Sequence, residues 1–179
     1  PVELASLWKA VTKTDFQALA EGYPGIAKAQ VLDTNDCANI RYYVVNLAVA
    51  PNGGGYCSPG LKQELAAHLE NRKVITTEVN LFDPLYREIA VDAEVVAYST
   101  EDIALVRGRV ETALQDFFAF NRMGFGQSVY QSDLIALLDG VRGVSYVHLC
   151  APSGDVLIRP GEIPVLGALN LDIKRGGQS

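Results

Sequence analysis

The apolar period of this chain changes abruptly at Ser99. Before it, Ile89, Val91, Ala93, Val95 and Ala97 take every second position; after it, Ile103, Val106, Val110, Leu114 and Phe117 recur at spacings of three and four. A period of two lines one face of a strand and a period near 3.6 lines one stripe of a helix. The pattern predicts a half-buried strand over Ile89 to Tyr98 followed by a long amphipathic helix over about Glu101 to Phe120, with Ser99 and Asp102 at its capped start. Asp92 and Glu94 fall on the opposite strand face, where alternation predicts solvation. Gly108 interrupts the helix at a cost of about 1 kcal/mol relative to Ala, which close approach of a neighbouring backbone would explain.

The same reading extends to both sides. Thr12 caps a short helix with Asp15 in its first turn and Phe16, Leu19 and Ala20 on its inner stripe. Tyr23-Pro24-Gly25 ends it, because Pro cannot continue a hydrogen-bonded helix and Gly tolerates the turn. Ile26 to Leu32 and Ile40 to Ala50 read as strands joined through Asp33 to Asn39, a hairpin. After Gly53-Gly54-Gly55, Ser58 is the N-cap and Pro59 the first residue of a helix carrying Leu61, Leu65 and Leu69 and ending near Asn71. Val74 to Phe82 is the next strand. Past the loop at Met123 to Gly126, Ser128 and Gln131 suggest a capping box for a helix reaching Asp139. Val144 to Leu149 and Leu166 to Ile173 are the last strands.

An internal echo appears at a shift of 118 positions, where Thr14-Asp15-Phe16-Gln17-Ala18-Leu19 lies over Ser132-Asp133-Leu134-Ile135-Ala136-Leu137 and Gly22, Gly25 and Ile26 fall on Gly140, Gly143 and Val144. Both stretches read helix, tight turn, strand. Chance and shared helix-stop chemistry offer one explanation, an internal duplication the other. The expected fold class is α+β: two small subdomains, residues 1–83 and 84–179, each with helices on a small mixed or antiparallel sheet and a boundary near Asp83 to Arg87. A single mixed domain is the alternative.

Composition narrows the chemistry. Hydrophobic residues make up 49% of 179, enough for a buried core. A net charge of −6 with scattered Lys and Arg argues against a phosphate-backbone binder. No apolar run approaches the roughly 20 residues that span a bilayer. Cys37, Cys57 and Cys150 are odd in number and widely spaced, which fits reduced thiols acting as small core residues. The chain starts at Pro1 and enters a helix-like stretch almost at once, the pattern expected of a piece of a longer protein.

Candidate sites reduce to structural explanations. The three glycines before Ser58 resemble a phosphate cradle, yet no Gly-Lys-Ser or GxGxxG follows, so a loop is expected. Asp92 with Glu94 could divide acid and base roles, but their alternation with apolar residues marks a solvated face. Asp33 and Asp36 suit an Asx turn and lack a calcium-loop pattern. His68 follows Leu61 and Leu65 at helical spacing, and His148 alternates within a strand. No catalytic, cofactor-binding or metal site is expected. Phe82, Tyr86, Phe125 and Tyr130 sit in or beside loops, where large rings either cap the chain's own core or anchor a partner, and these four are the candidate interface residues.

The run Ala10-Val11-Thr12-Lys13-Thr14-Asp15-Phe16-Gln17-Ala18-Leu19-Ala20, with Pro24-Gly25-Ile26-Ala27-Lys28-Ala29 after it, resembles a stretch of Baseplate J-like proteins. The likeness continues through Val49-Ala50-Pro51, Ser58-Pro59, Leu69-Glu70-Asn71-Arg72-Lys73 and Ile89 to Val96. It closes with Gly126, Val129, Ser132, Leu134, Val141-Arg142-Gly143-Val144 and Glu162-Ile163-Pro164. These are caps, turns and core positions, each weak alone and persuasive as an ordered series. Tyr130 departs from it, standing where the echo would place a second capping Thr. The resemblance implies a structural wedge component of a phage or phage-like contractile tail baseplate, assembled in the host cytoplasm. It would join other wedge subunits and copies of itself in a ring around the tail hub, with no cofactor, nucleic acid, membrane or small-molecule substrate. The alternatives are a regulatory module that binds a small molecule between tandem α+β units, and a hydrolase using the carboxylates.

Overall fold

The computed structural model describes residues 9–10, 12–32 and 44–176. Its elements in chain order are α1 (Lys13–Glu21), β1 (Ile26–Leu32), β2 (Val44–Pro51), α2 (Pro59–Glu70), β3 (Glu78–Phe82), β4 (Leu85–Ala97), α3 (Ile103–Phe117), α4 (Gln131–Asp139), β5 (Val144–Ala151) and β6 (Glu162–Arg175). The fold is α+β. Two compact units divide the chain, Pro1–Leu85 and Tyr86–Ser179, each with one three-stranded sheet.

In the first unit the strand order is β1-β2-β3. β1 and β2 pair antiparallel, as expected of the hairpin, although its turn at 33–39 and residues 40–43 lie outside the described residues. β3 runs parallel to β2, Val44 opposite Glu78 through Ala48 opposite Phe82, so α2 is the crossover between them. Leu47, Ala48, Val49 and Ala50 are all buried, the continuous run that a central strand covered on both faces requires. Ala20 of α1 and Leu65 and Leu69 of α2 close over it with Ile26, Ala29 and Cys57. Each fully buried Leu contributes about 1.5–3 kcal/mol of transfer free energy.

The second unit orders its strands β5-β4-β6. β4 and β5 are antiparallel, Ala93 opposite Leu149 and Val95 opposite Val147. β4 and β6 are parallel. Gly167 lies against Ile89, Asn170 bonds Asp92, Lys174 bonds Glu94 and the Gly176 amide reaches the Ala97 carbonyl, so contacts advance in step along both strands. The expected inward row of β4, from Ile89 to Ala97, is buried, and so are Val106, Val110 and Leu114 of α3.

Several boundaries moved for physical reasons. Residues 74–77 are a turn, closed by the Thr77 amide on the Val74 carbonyl at 2.9 Å, so the strand expected from Val74 begins at Glu78. The long helix starts after Asp102, whose Oδ1 accepts the Ala104 amide at 2.8 Å; Glu101 precedes it in a turn to Tyr98. β4 begins at Leu85 and β6 at Glu162, each about four residues early, because Pro164 is tolerated in an edge strand and Gly167 marks close strand approach. A Cβ on Gly167 would stand 3.3 Å from the Ile89 backbone. The Ser128–Gln131 capping box is absent. Tyr130 is the N-cap of α4 without a side-chain bond, Asp155 Oδ1 takes the Gln131 amide at 3.1 Å, and Ser128 Oγ accepts from the Ile158 amide at 3.3 Å. Distant residues have replaced a local motif.

The echo at 118 positions is geometric as far as the first strand. α1 and α4 both end at a right-handed Gly cap, and Gly25 (φ 96°) and Gly143 (φ 100°) both turn the chain into a strand. The bonds Gly22–Ala18, Tyr23–Ala20 and Ile26–Tyr23 recur as Gly140–Ala136, Val141–Leu138 and Val144–Val141. Thr12 caps α1 as expected, and Asp15 bonds back to it in a reciprocal capping box that α4 lacks. Beyond β1 the correspondence fails in pairing. β1 joins the strand that follows it, whereas β5 joins β4, which precedes it.

Gly143 has two constraints at once: its positive φ, and an added Cβ only 2.8 Å from Val106 Cγ2. Gly143→Ala therefore forces left-handed strain, about 1–2 kcal/mol in itself, against a packed helix. Denaturant titration should show a loss of at least about 2 kcal/mol, and a loss below about 0.5 kcal/mol would contradict this packing.

Candidate assembly surfaces

The four candidate aromatics divide evenly. Phe82, at the end of β3, is 45% exposed and Tyr130, at the start of α4, 47%, whereas Tyr86 in β4 and Phe125 in the loop before α4 are half-buried. Phe82 belongs to the first unit and the other three to the second. Larger exposures lie at aliphatic residues that pattern reading did not single out. Ile75 is 90% exposed and Leu157 75%. Ile75 was absorbed into a strand that the turn at 74–77 replaces, and Leu157 sits in a connection with no period to betray it.

Leu157 and Tyr130 share a local setting. Val129 and Val156 exchange both backbone bonds, 2.9 and 2.8 Å, in an isolated antiparallel bridge. Val129 is buried, and the next residues along the two chains, Tyr130 and Leu157, are exposed. Asp155 caps α4 beside them. The bridge thus holds one ring and one aliphatic side chain at the N-terminal end of a helix, on backbone fixed by three hydrogen bonds.

A second surface runs along the outside of α3. An open groove of about 590 Å³ is lined by Ala104, Leu105, Gly108, Arg109, Thr112, Ala113 and Asp116. A Cβ on Gly108 would meet nothing within 4 Å and its φ is not positive, so the chain's own packing gives no reason for glycine there. Arg109 is committed to Glu101 at 3.1 Å and to the Arg142 carbonyl at 3.0 Å.

Several ionisable groups are engaged in structural pairs. Asp92 accepts from Asn170, and Glu94 holds Lys174 at 2.7 Å, which with Asp172 raises the Lys174 amine above its ordinary value. His148 is exposed opposite Glu94 on β5. Cys150 is exposed beside a register shift on the same strand, and Cys57 is buried with its Sγ directed at the Val49 carbonyl. Burial, then the charge of Asp83, pushes the Cys57 thiol up, the opposite of an activated nucleophile. Gly53, Gly54 and Gly55 all have positive φ and form a turn before Ser58, whose Oγ takes the Leu61 amide. Among the described residues no helix is long and apolar enough to cross a membrane.

Comparison with known proteins gives these surfaces a context. The Baseplate J-like central domain matches residues 9–81, and the Baseplate J-like protein C-terminal domain matches residues 89–172. The chain belongs to the Baseplate J-like family. With that it is a structural protein of contractile-tail baseplates. No curated protein matches it by sequence. Among solved structures it is similar to a chain of the anti-feeding prophage baseplate, a sixfold-symmetrised cryo-EM structure, with TM-score 0.65 and 20% identity over 90% of this chain. It spans 38% of that chain, and the likeness speaks for the fold.

The two Baseplate J-like matches leave out residues 82–88, where Phe82, Leu85 and Tyr86 lie. If Gly108 serves a neighbour and not the chain itself, Gly108→Ala should stabilise the isolated protein by about 0.5–1 kcal/mol through helix propensity. Thermal or urea unfolding measures this, and a destabilised variant would show that Gly108 has an intramolecular role.

Proposed function

We propose that this chain forms part of a baseplate wedge subunit that packs with other wedge proteins and with copies of itself into the ring around the tail hub. It acts by burying surface and turns over no substrate. The observation that carries this reading is the ordered pair of Baseplate J-like matches across residues 9–81 and 89–172. The sixfold symmetry of the anti-feeding prophage baseplate supports a ring. Cys57 has a raised thiol, the Asp92 and Glu94 carboxylates are held by cross-strand partners, and each unit offers exposed apolar side chains. The net charge of −6 keeps free subunits apart until specific contacts form. Assembly takes place in the host cytoplasm and the product is the virion or particle tail.

Within that role Phe82, Tyr86, Phe125 and Tyr130 are the proposed contact residues. Interface energy concentrates in a few buried anchors, often aromatic, within a larger complementary surface. Phe82→Asp and Tyr130→Asp change exposed positions and should leave the circular dichroism spectrum intact while abolishing co-purification with wedge partners. Tyr86→Asp and Phe125→Asp, at half-buried positions, should also lower the unfolding midpoint. Co-purification undiminished in both exposed variants would remove Phe82 and Tyr130 from the interface.

A further inference from the structure

We propose that His68 and Arg72 form an acid-released latch, which holds the chain at Ala10 against the C-terminal end of α2. Arg72 follows Asn71, the C-cap of α2, and its amide turns back to the Leu69 carbonyl at 3.0 Å. The His68 carbonyl thereby loses the amide that a continuing helix would supply. Arg72 replaces it with its side chain, placing NH1 at 3.4 Å from the His68 carbonyl and 3.1 Å from His68 Nδ1. A guanidinium only donates hydrogen bonds, so Nδ1 carries the lone pair and the neutral ring keeps its proton on Nε2. The backbone of the same arginine holds a second segment: its carbonyl accepts the Ala10 amide at 2.8 Å, beside the parallel bridge of Ala10 with Lys73.

Besides Arg72, an aromatic ring faces the imidazole. Tyr23, from the turn between α1 and β1, stands edge-on to it with ring centroids 4.9 Å apart, and its hydroxyl donates to Glu64 Oε2 at 3.2 Å. Glu64 and Arg72 are the charged neighbours on and after α2. Protonating Nδ1 sets one N–H against another and one cation against another, so the contact with Arg72 cannot persist. An imidazolium is itself favoured at a helix C-terminus. The ring therefore stays and Arg72 is displaced, which loosens the hold of its carbonyl on Ala10.

Burial, and then the charge of Arg72, lowers the His68 pKa below its ordinary value. The folded unit consequently binds fewer protons than the unfolded chain, and its stability falls as pH drops below about 6.5 toward the lowered folded value. Ordinary carboxylates titrate about two units further down and do not overlap this window.

NMR titration of the whole chain from alkaline to mildly acidic pH tests the latch. The expected results are a His68 ring midpoint below about 6.5 and an Ala10 amide shift that follows the same midpoint. His68→Gln should flatten the Ala10 titration over that window, and Arg72→Gln should raise the His68 midpoint. A wild-type Ala10 amide that does not respond while His68 titrates would overturn the proposal, as would an equal response in His68→Gln. If His68→Gln fails to fold, an Arg72→Gln midpoint equal to wild type would overturn it.

Discussion

Each unit depends on one strand being paired along both of its edges. In the first unit this is β2, between an antiparallel and a parallel neighbour; in the second it is β4, between the same two kinds. The constraint explains where the apolar residues must be. β2 is buried without interruption from Leu47 to Ala50, and β4 alternates, with its inner row under the helices and its outer row held by Lys174 and Asn170. Helices α1 and α2 then close over one sheet, and α3 and α4 pack with the strands of the other. The turn glycines follow from this, because a Cβ on Gly25 would press on Leu61 of α2 and one on Gly143 on Val106 of α3. The same sheet pattern recurs with its central strand drawn from a different place in the chain order.

Much of this was legible in the sequence wherever a local cause was sufficient. The period of two in β4, the stripe of α3, the Thr12 cap with Asp15 in the first turn of α1 and the Ser58-Pro59 start of α2 each appear in the structure. Failures occurred where the deciding partner is far away in sequence. Asp155 caps α4 from a connection that nothing local ties to it, and the start of β6 at Glu162, ahead of Pro164, depends on an edge position that cannot be read from residues. The carboxylates Asp92 and Glu94 were placed on the outer face, but their partners on β6 were not foreseen. The candidate surfaces were legible only in part. Loop aromatics have a recognisable signature, whereas Ile75 and Leu157 owe their exposure to backbone turns and bridges that pattern reading does not see.

These features suit a protein that works through its surface. The titratable side chains with resolved partners mostly stabilise strands or helix ends. The positions with no internal explanation, Gly108 on α3 and Leu157 beside Tyr130, face outward. A scaffold subunit has to fold alone and still keep apolar groups unsatisfied until neighbours arrive, and exposed single residues on rigid backbone meet both demands with limited risk of aggregation. Acid release at His68 would act within the first unit.

Sedimentation of the purified chain, alone and mixed with the other baseplate proteins of its own particle, tests the assembly role most directly. The account predicts a folded species that shifts into a heavier, stoichiometric complex when the wedge components are present. A folded chain whose sedimentation is unchanged by every one of those components would contradict it.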